Sequence, residues 1–362
     1  MKRKKTKLKI KKKSIIVSVV ILLIVIIITL LVGPLKLYFK GYSFKSSFEI
    51  AFNGTKSIVL DKDYSETLDN MIIDGKYDKN YLSEYFEIDY YDRENFTNNT
   101  SNMLRLRYDA EVINKINKKN DNEINKIAST AYYENLKAYL EYDYFKPELF
   151  ERYEAYNKGN IKDTLIKVNI GLDKPFYKDP NTISKYSTTM LVNTYNKLDE
   201  SFTPELVKMD KCSEGENYLS KEAKEAFDKL CDASLKDGMK IGTTSSYRSY
   251  KEQQNVYNYY LKVNGQDYVN KYVAKPGFSE HQTGLALDVK SVYSSPFKNT
   301  KEYIWMINNA YKYGFILRYP ENTKNITGYN SEAWHFRYVG IDAATYIQKN
   351  KITYDEYCAI FM

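Results

Sequence analysis

The sequence has 362 residues, of which 43% are apolar and 28% are charged, so it predicts one large folded domain or two ordinary ones rather than a disordered chain. Its formal net charge of +8 is concentrated in residues 2–13, which contain nine Lys or Arg and no acid. The remaining 45 basic and 46 acidic residues give the rest of the chain a net charge of −1. We therefore expect no nucleic-acid partner, because no positive excess remains to cover phosphates.

The first predicted element is a membrane-spanning helix over residues 14–35. No charged residue lies between Lys13 and Lys36. At about 1.5 Å per residue this stretch reaches about 33 Å, enough to cross a hydrocarbon core of roughly 30 Å. The basic residues 1–13 predict a cytoplasmic tail, with everything after Lys36 outside. A cleaved signal peptide is the alternative, but its apolar core is usually shorter and Gly33-Pro34 is a poor cleavage site. We expect an uncleaved signal anchor and a single-pass membrane protein.

Residues 36–184 are predicted to be an extracytoplasmic, mostly helical spacer or accessory region. Residues 36–98 are polar and weakly periodic, which indicates irregular or mixed structure. Helical spacing follows, at Tyr132, Leu136, Tyr139 and Leu140. Another helix is expected to begin at Pro147 and end at Gly159. No fixed-period repeat is evident. A helical stalk is the simplest interpretation; a module that binds the cell wall or a partner is the alternative, since tyrosines also stack on sugars.

Residues 185–362 are predicted to form an α+β domain. Helical patterns alternate with strand patterns, the helices over about 220–235, 249–262 and 301–313 and the strands over about 239–245, 315–318 and 334–339. Short strands separated by helices and a long loop favour a small antiparallel sheet with flanking helices over a doubly wound sheet.

The chain contains three cysteines, too few for a disulfide scaffold. Cys231 lies on the apolar face of the predicted helix at 220–235, which indicates a buried thiol. A disulfide with Cys212 is compatible with a location outside the membrane, and the sequence leaves it open. Cys358 has no evident partner, and none of the three has the surroundings of a nucleophile or a metal ligand.

The candidate chemistry lies around the only two histidines of the chain, His281 and His335. Asp288 follows the first by seven residues, and Glu332 precedes the second by three. Two imidazoles and one carboxylate are a sufficient ligand set for a catalytic zinc ion that keeps a fourth position for water. A nearby carboxylate such as Glu332 is suited to accept the proton of that water. The alternative is that both histidines are hydrogen-bonded core residues, which spacing alone does not exclude.

The sequence around these residues resembles the VanY-type D-alanyl-D-alanine carboxypeptidases of the M15B group of zinc metallopeptidases. The resemblance covers about residues 185–357, roughly half the chain, and rests on segments that follow one another in the family's order. They are Leu191-Val192-Asn193 with Pro204-Glu205-Leu206-Val207, Ser246-Tyr247-Arg248-Ser249-Tyr250 with Gln253, Pro276-Gly277-Phe278-Ser279-Glu280-His281-Gln282-Thr283-Gly284-Leu285-Ala286-Leu287-Asp288, Tyr313-Gly314-Phe315-Ile316-Leu317-Arg318-Tyr319-Pro320, Thr327-Gly328-Tyr329, and Glu332-Ala333-Trp334-His335-Phe336-Arg337-Tyr338-Val339-Gly340.

The resemblance implies a role for each matching residue. The ligands of one zinc ion would be His281, Asp288 and His335, and Glu332 would be the catalytic base. Arg248 would hold either the terminal carboxylate of the substrate or the developing oxyanion, roles that suit a permanently charged guanidinium. The same pocket would be lined by Ser246, Tyr247 and Gln253. Family members often have Gly at position 246 and Pro at position 333, and the segment 263–273 is less typical.

The resemblance also implies the function. The expected reaction is removal of the C-terminal D-alanine from peptidoglycan stem peptides outside the membrane, with D,D-carboxypeptidase activity favoured. One alternative is L,D-carboxypeptidase activity on tetrapeptide stems, which the motifs do not separate from the first. A wall endopeptidase is less consistent with an arginine that binds a carboxylate. The alternative of another class is a non-catalytic wall-binding or sensor protein with a structural zinc, which would normally need a fourth protein ligand.

Overall fold

A computed structural model describes residues 2–130, 135–157, 159–293 and 295–362. The chain divides into two compact units, one of residues 1–141 and 146–148 and the other of residues 142–145 and 149–362. The predicted boundary between residues 184 and 185 falls inside the second unit and stays a prediction about the limit of the catalytic domain.

The first unit is helical throughout its described residues. Its helices are α1 (Lys2–Phe39), α2 (Phe44–Phe52), α3 (Lys56–Leu60), α4 (Glu66–Ile73), α5 (Phe96–Arg105), α6 (Ala110–Ile116), α7 (Asp121–Ile127) and α8 (Leu136–Tyr139). The predicted spacing in this region begins at Tyr132, which lies outside the described residues. The expectation of irregular or mixed structure over residues 36–98 is wrong for residues 44–73, where α2 to α4 lie, and is confirmed for residues 74–95, which contain turns and two short 3-10 helices. The sequence feature that marks these helices is the residue at each start. Ser43, Ser65 and Asp109 each accept a backbone N–H of the first turn.

Helix α1 contains the apolar stretch that the sequence identified. The candidate span is Lys13–Phe39, and its most apolar 18 residues have a mean hydropathy of 3.7 and are not buried within the protein. Length and composition therefore suit a helix that crosses a membrane, and a signal sequence near an N-terminus would have the same two properties.

The second unit has the predicted α+β fold. Its helices are α9 (Phe150–Tyr156), α10 (Ile161–Asn169), α11 (Lys221–Lys236), α12 (Tyr250–Asn264), α13 (Gln266–Tyr272), α14 (Lys301–Asn309), α15 (Lys324–Thr327), α16 (Ile341–Asn350) and α17 (Tyr354–Phe361). Its strands are β1 (Asn181–Ile183), β2 (Asn196–Leu198), β3 (Leu206–Lys208), β4 (Tyr218–Ser220), β5 (Ile241–Ser245), β6 (Ala286–Ser291), β7 (Phe315–Tyr319) and β8 (Glu332–Tyr338). The α9 helix follows a 3-10 turn that starts at Pro147, as the sequence predicts.

The central element of this unit is a four-stranded antiparallel sheet in the order β5-β6-β8-β7. Two small two-stranded sheets accompany it, β1 with β2 in parallel and β3 with β4 antiparallel. Helix α11 covers one face of the central sheet and buries Phe227 and Leu230 there with Leu287 and Phe336. A second core packs α10, α16 and α17 around Ala344. The strands β5, β7 and β8 are those expected, whereas β6 and α13 lie in the predicted long loop.

The three cysteines are free thiols. Cys231 is fully buried on α11, as predicted, and its thiol is hydrogen-bonded with that of Cys212. The disulfide that the sequence left open is therefore not formed in this structure.

Candidate metal centre

Two neighbouring strands bring Asp288 and His335 together. Asp288 on β6 is directly opposite His335 on β8, and Ser245 on β5 pairs with Asp288 from the other side. Directly opposed residues of antiparallel strands have their side chains on the same face of the sheet. The distance between His335 Nδ1 and Asp288 Oδ1 is 3.5 Å. The position of the second histidine, His335, is thus fixed by the hydrogen bonds of strand β8, Glu332–Tyr338.

The other histidine reaches the same place from a tight turn. His281 belongs to a 3-10 helix, Glu280–Thr283, which ends at Gly284 with a φ of +68°. A Cβ at Gly284 would also come within 3.1 Å of the backbone nitrogen of Ser220, so only glycine fits this turn. The turn leads directly into β6 and sets His281 Nε2 at 3.5 Å from Asp288 Oδ1.

The three side chains fit a zinc ion. One donor atom from each of His281, Asp288 and His335 lies within 4.8 Å of the other two. His281 Nδ1 is 2.6 Å from the carbonyl oxygen of Ser246, to which it donates, so its Nε2 carries the free lone pair. Asp288 Oδ1 is buried without a hydrogen-bond partner, which an ion coordinated there would satisfy. Two nitrogens and one carboxylate oxygen are a donor set typical of zinc sites with an open position.

Charge stabilises the ionised form of Asp288. Burial alone would raise the pKa of this carboxyl group, but the two imidazoles outweigh burial and hold its pKa well below the usual range. Burial lowers the pKa of His281, which favours the neutral imidazole that a metal requires.

Glu332 lies beside the three ligand atoms rather than among them. Its Oε2 is 3.6 Å from His335 Nδ1, and its side chain is 18% exposed. Burial raises the pKa of Glu332 to about 7, with a smaller opposing effect of His335. A carboxyl group with a pKa near neutrality is able both to accept and to donate a proton at physiological pH.

Arg248 borders the same cavity and is held in place by two hydrogen bonds. Its Nη1 donates to Gln253 Oε1 at 2.7 Å and its Nη2 to Ser245 Oγ at 2.9 Å. Gln253 in turn donates from Nε2 to the carbonyl oxygen of Ala274 at 2.7 Å. Burial lowers the pKa of Arg248, but a guanidinium remains charged at neutral pH. The arrangement leaves a fixed positive charge in a cavity of about 450 Å³ that also contains the three ligand side chains and Glu332.

Two of the predicted pocket residues lie elsewhere. Ser246 is buried; its hydroxyl donates to Asn217 Oδ1 at 3.1 Å and accepts from the backbone nitrogen of Tyr218 at 2.9 Å. Through its carbonyl it supports His281 from behind, rather than lining the cavity. Tyr247 is half-buried and its hydroxyl is hydrogen-bonded with Thr203, also outside the cavity lining. The structure therefore brings Gln253 to the cavity with Arg248, but not these two side chains.

A buried ion network behind His335 was not identified from the sequence. Glu280 is fully buried and accepts a hydrogen bond from Arg318 Nε at 2.8 Å, while Arg337 Nη1 lies 3.1 Å from the same oxygen. Its other oxygen is 3.4 Å from His335 Nε2. Arg318 also donates to Asp355 Oδ2 at 2.6 Å. Despite burial, the two guanidinium groups hold the pKa of Glu280 below its usual range. The network directs the Nδ1 edge of His335 toward Asp288.

Aromatic rings form much of the remaining cavity wall. They come from α12, α13, the turn before the 3-10 helix Glu280–Thr283, β7, the loop before β8 and β8 itself, and they are Tyr260, Tyr268, Tyr272, Phe278, Tyr319, Tyr329 and Trp334. Tyr260 and Tyr268 are stacked with ring centroids 5.6 Å apart. These tyrosines lie in or beside the segment 263–273, whose departure from the family pattern therefore shapes one side of the cavity.

Three candidate metal ligands, a buried carboxyl group and an arginine around one cavity form a site suited to metal-assisted hydrolysis. The family described as "VanY: D-alanyl-D-alanine carboxypeptidase" matches residues 216–341. The "Putative carboxypeptidase YodJ" of Bacillus subtilis (strain 168) is 43% identical over 145 residues, which are 39% of this chain and 53% of that protein. The "Bifunctional D-Ala-D-Ala dipeptidase and D-Ala-D-Ala carboxypeptidase VanXYC" of Enterococcus gallinarum is 35% identical over 179 residues, 47% of this chain and 93% of that protein.

A solved structure of similar sequence is that of the LdcB LD-carboxypeptidase, 38% identical over 51% of this chain and 91% of that chain, with a TM-score of 0.47. The sequence matches show that the chain belongs to the VanY family of D-alanyl-D-alanine carboxypeptidases. The resemblance seen in the sequence is thereby confirmed. The chain spans about half the length of the Bacillus relative.

Proposed function

We propose that this protein is a zinc-dependent carboxypeptidase that removes the C-terminal D-alanine from peptidoglycan stem peptides, with the D,D bond of the pentapeptide as its preferred target. The observation that carries the proposal is the cavity shared by Glu332, Arg248 and the three candidate ligands. A proton acceptor and a fixed cation beside a metal position are what cleavage next to a free C-terminus requires. Family membership supports the same reaction.

Each residue of the cavity would have one task. The zinc ion would be held by His281, Asp288 and His335, and when bound it supplies Lewis-acid polarisation of the scissile carbonyl. Glu332 would accept a proton from the attacking water and pass it to the leaving amine. Arg248 would bind the terminal carboxylate through its guanidinium, whose orientation the contacts with Gln253 and Ser245 fix in advance.

The test compares two synthetic stems in the presence and absence of a chelator. Purified protein is incubated with a pentapeptide ending in D-Ala-D-Ala and with the corresponding tetrapeptide, and the product masses are measured. Loss of one alanine from the pentapeptide, abolished by the chelator and restored by zinc, is the expected result. Preference for the tetrapeptide would instead identify an L,D-carboxypeptidase. No cleavage of either stem by protein with zinc bound would contradict the proposal and favour an endopeptidase or a wall-binding role.

We further propose that residues 14–35 anchor the protein in the membrane, with residues 1–13 in the cytoplasm and the catalytic unit outside. The length and apolar surface of α1 and the basic residues before it support this orientation. Protease added to intact bacterial protoplasts should remove the catalytic unit and leave a membrane-bound fragment. Complete protection of the catalytic unit from protease, or its release without protease, would contradict the orientation or the anchor.

A further inference from the structure

Helix α2 has an exposed aromatic stripe on one side. Phe44 and Phe52 have 69% and 59% of their surface exposed, and Phe48 between them is half-buried. The spacing of four residues puts the three rings in one row, with centroids 4.7 Å and 6.3 Å apart along it. We call these three residues the phenylalanine stripe.

The opposite side of the same helix is polar and buried. Ser46 and Ser47 are both buried, and their hydroxyl groups donate to the carbonyl oxygens of Asp69 and Tyr42. Ile50 is the one large apolar side chain on this face. A helix that faces water normally has the reverse pattern, with phenylalanine inside and serine outside. The reversal indicates that the phenylalanine stripe contacts an apolar medium.

The contact between α1 and α2 sets the level of this stripe along the proposed membrane helix. The chain reverses after Phe39, with Gly41 at a φ of +114°, so that α2 runs back alongside the end of α1. Gly33 and Pro34 are buried in this contact. A methyl group at Gly33 would lie 3.5 Å from the Cβ of Ala51. The last turn of α2, which carries Phe52, is therefore level with Gly33.

Gly33 lies within the uncharged stretch 14–35, three residues before Lys36, where a helix of this length reaches the end of the hydrocarbon core. At about 1.5 Å per residue, Phe44 is roughly 12 Å from Phe52 along α2 and hence farther from the core. Ile58 on α3, 49% exposed, follows Lys56, whose side chain also contacts Gly33. Helices that lie at this boundary commonly have Trp, Phe and Leu on the face that enters the lipid.

The residues that directly follow the uncharged stretch in the sequence suit a lipid surface. Residues 36–60 contain four lysines and one acid, a net charge of +3 directly after the uncharged stretch. Basic residues next to a membrane helix are attracted to anionic headgroups. The stripe lies beside the end of the proposed membrane helix, where Gly33 of α1 meets Ala51 of α2, so the lipid surface is the occupant that the observations favour.

We propose that the phenylalanine stripe is a membrane-contact site, in which the α1–α2 hairpin enters the outer leaflet with Phe52 deepest and Phe44 at the outer edge of the headgroups. This rests on the proposed membrane anchor. Its consequence is that α2 fixes the depth of the first unit on the membrane, so that the anchor is a helical hairpin rather than a single helix on a flexible linker.

The test measures depth with tryptophan and brominated lipids. The full chain is reconstituted into phosphatidylcholine–phosphatidylglycerol vesicles with bromine atoms either near the headgroups or deep in the acyl chains. The variants are Phe52→Trp, Phe48→Trp, Phe44→Trp and, at the centre of α1, Val25→Trp. The signal of Trp305 and Trp334 is subtracted with the unsubstituted protein, and circular dichroism checks that the helices persist. We expect headgroup-proximal bromine to quench Phe52→Trp at least twofold, with progressively weaker quenching at positions 48 and 44.

Two outcomes would overturn the proposal and differ in meaning. If Val25→Trp is quenched by deep bromine but Phe52→Trp is not, the anchor holds and the membrane-contact site is wrong. A Phe52→Trp that is also shielded from aqueous acrylamide in that case would identify a protein contact instead. If Val25→Trp is not quenched either, the proposed membrane anchor is wrong, and the membrane-contact site, which depends on it, is wrong as well. Neither result affects the peptide-cleavage test of the catalytic unit.

Discussion

The candidate metal centre of the second unit and the exposed helix caps of the first unit use polar side chains in different ways. In the second unit, the polar groups at the metal centre are buried and contact one another, as in the row Asp355–Arg318–Glu280–His335. In the first unit, exposed polar side chains stand at helix starts, where Asn120 and Asp109 accept backbone N–H groups. A buried polar group has no water to replace a lost partner, whereas an exposed cap does. Substitutions should therefore have large, specific effects in one unit and small, local ones in the other.

The largest effect is expected from Glu332→Gln. This variant keeps the shape of the side chain but cannot accept a proton, so we expect kcat on the pentapeptide to fall by about 10²–10⁴-fold. Zinc content should remain unchanged, because Glu332 stands outside the ligand set. The measurements are steady-state hydrolysis and metal analysis of the purified protein.

Glu200→Gln is the matched control, since Glu200 is an exposed glutamate of the same unit. It should retain normal turnover. Near-normal turnover in Glu332→Gln would show that this residue is not the base, and loss of zinc in that variant would make it a ligand instead.

Arg248→Ala should remove the preference for a free C-terminus. The unsubstituted protein is expected to cleave the pentapeptide acid far better than its C-terminal amide, because the amide gives the guanidinium no carboxylate to bind. Loss of one partner of a buried charge pair costs about 2–4 kcal/mol, or roughly 30- to 1,000-fold in kcat/KM for the acid. The amide should lose much less, so the ratio of acid to amide is the informative quantity. An equal loss on both substrates would assign Arg248 to the oxyanion rather than to the carboxylate.

Glu280→Gln tests whether the buried network positions His335. Outer-shell partners of metal ligands typically contribute 10- to 100-fold to metal affinity, and we expect zinc affinity, measured by chelator competition, to fall by about this factor. Asp355→Asn is the control, because Asp355 pairs with Arg318 but has no contact with the histidine. Both variants should lower thermal stability, since each leaves a buried arginine undercompensated. Only Glu280→Gln should weaken zinc binding, and equal zinc affinity in the two variants would reduce Glu280 to a structural role.

The sequence was sufficient for the fold class and for bringing the candidate metal ligands, Glu332, Arg248 and Gln253 to one cavity, but not for the rest of the cavity lining. His281, Asp288 and His335 could be predicted because zinc chemistry demands those side-chain types, and only two histidines occur in the chain. The fold class followed from short strand patterns, such as that of β7, separated by helical ones. The strand β6 was missed because it follows the 3-10 turn at Gly284 directly, with no polar loop between them to mark its start.

Other features depend on tertiary contacts that no local pattern reports. Glu280 and Arg318 are 38 residues apart and meet only in the folded unit. Ser246 belongs to the family motif, but its carbonyl rather than its side chain serves His281, a distinction that residue identity does not contain. In the first unit the helices are short, so periodicity over 7 or 8 residues is weak, and the caps at their starts were the better signal.

The smallest effect is expected from Asn120→Ala at the start of α7. Asn120 and Glu123 form a capping box, in which each side chain accepts the backbone N–H of the other residue. Loss of such a cap costs about 1 kcal/mol, roughly fivefold in a local opening equilibrium. Hydrogen exchange of the α7 amides in the full-length protein should therefore accelerate by about this factor, while zinc affinity and pentapeptide cleavage stay unchanged. Asn80→Ala is a suitable comparison, because Asn80 is an exposed asparagine of the same unit whose side chain caps none of its helices. A loss of activity in Asn120→Ala would mean that helix stability in the first unit is coupled to the catalytic centre, and the contrast between local and specific effects would then no longer separate the two units.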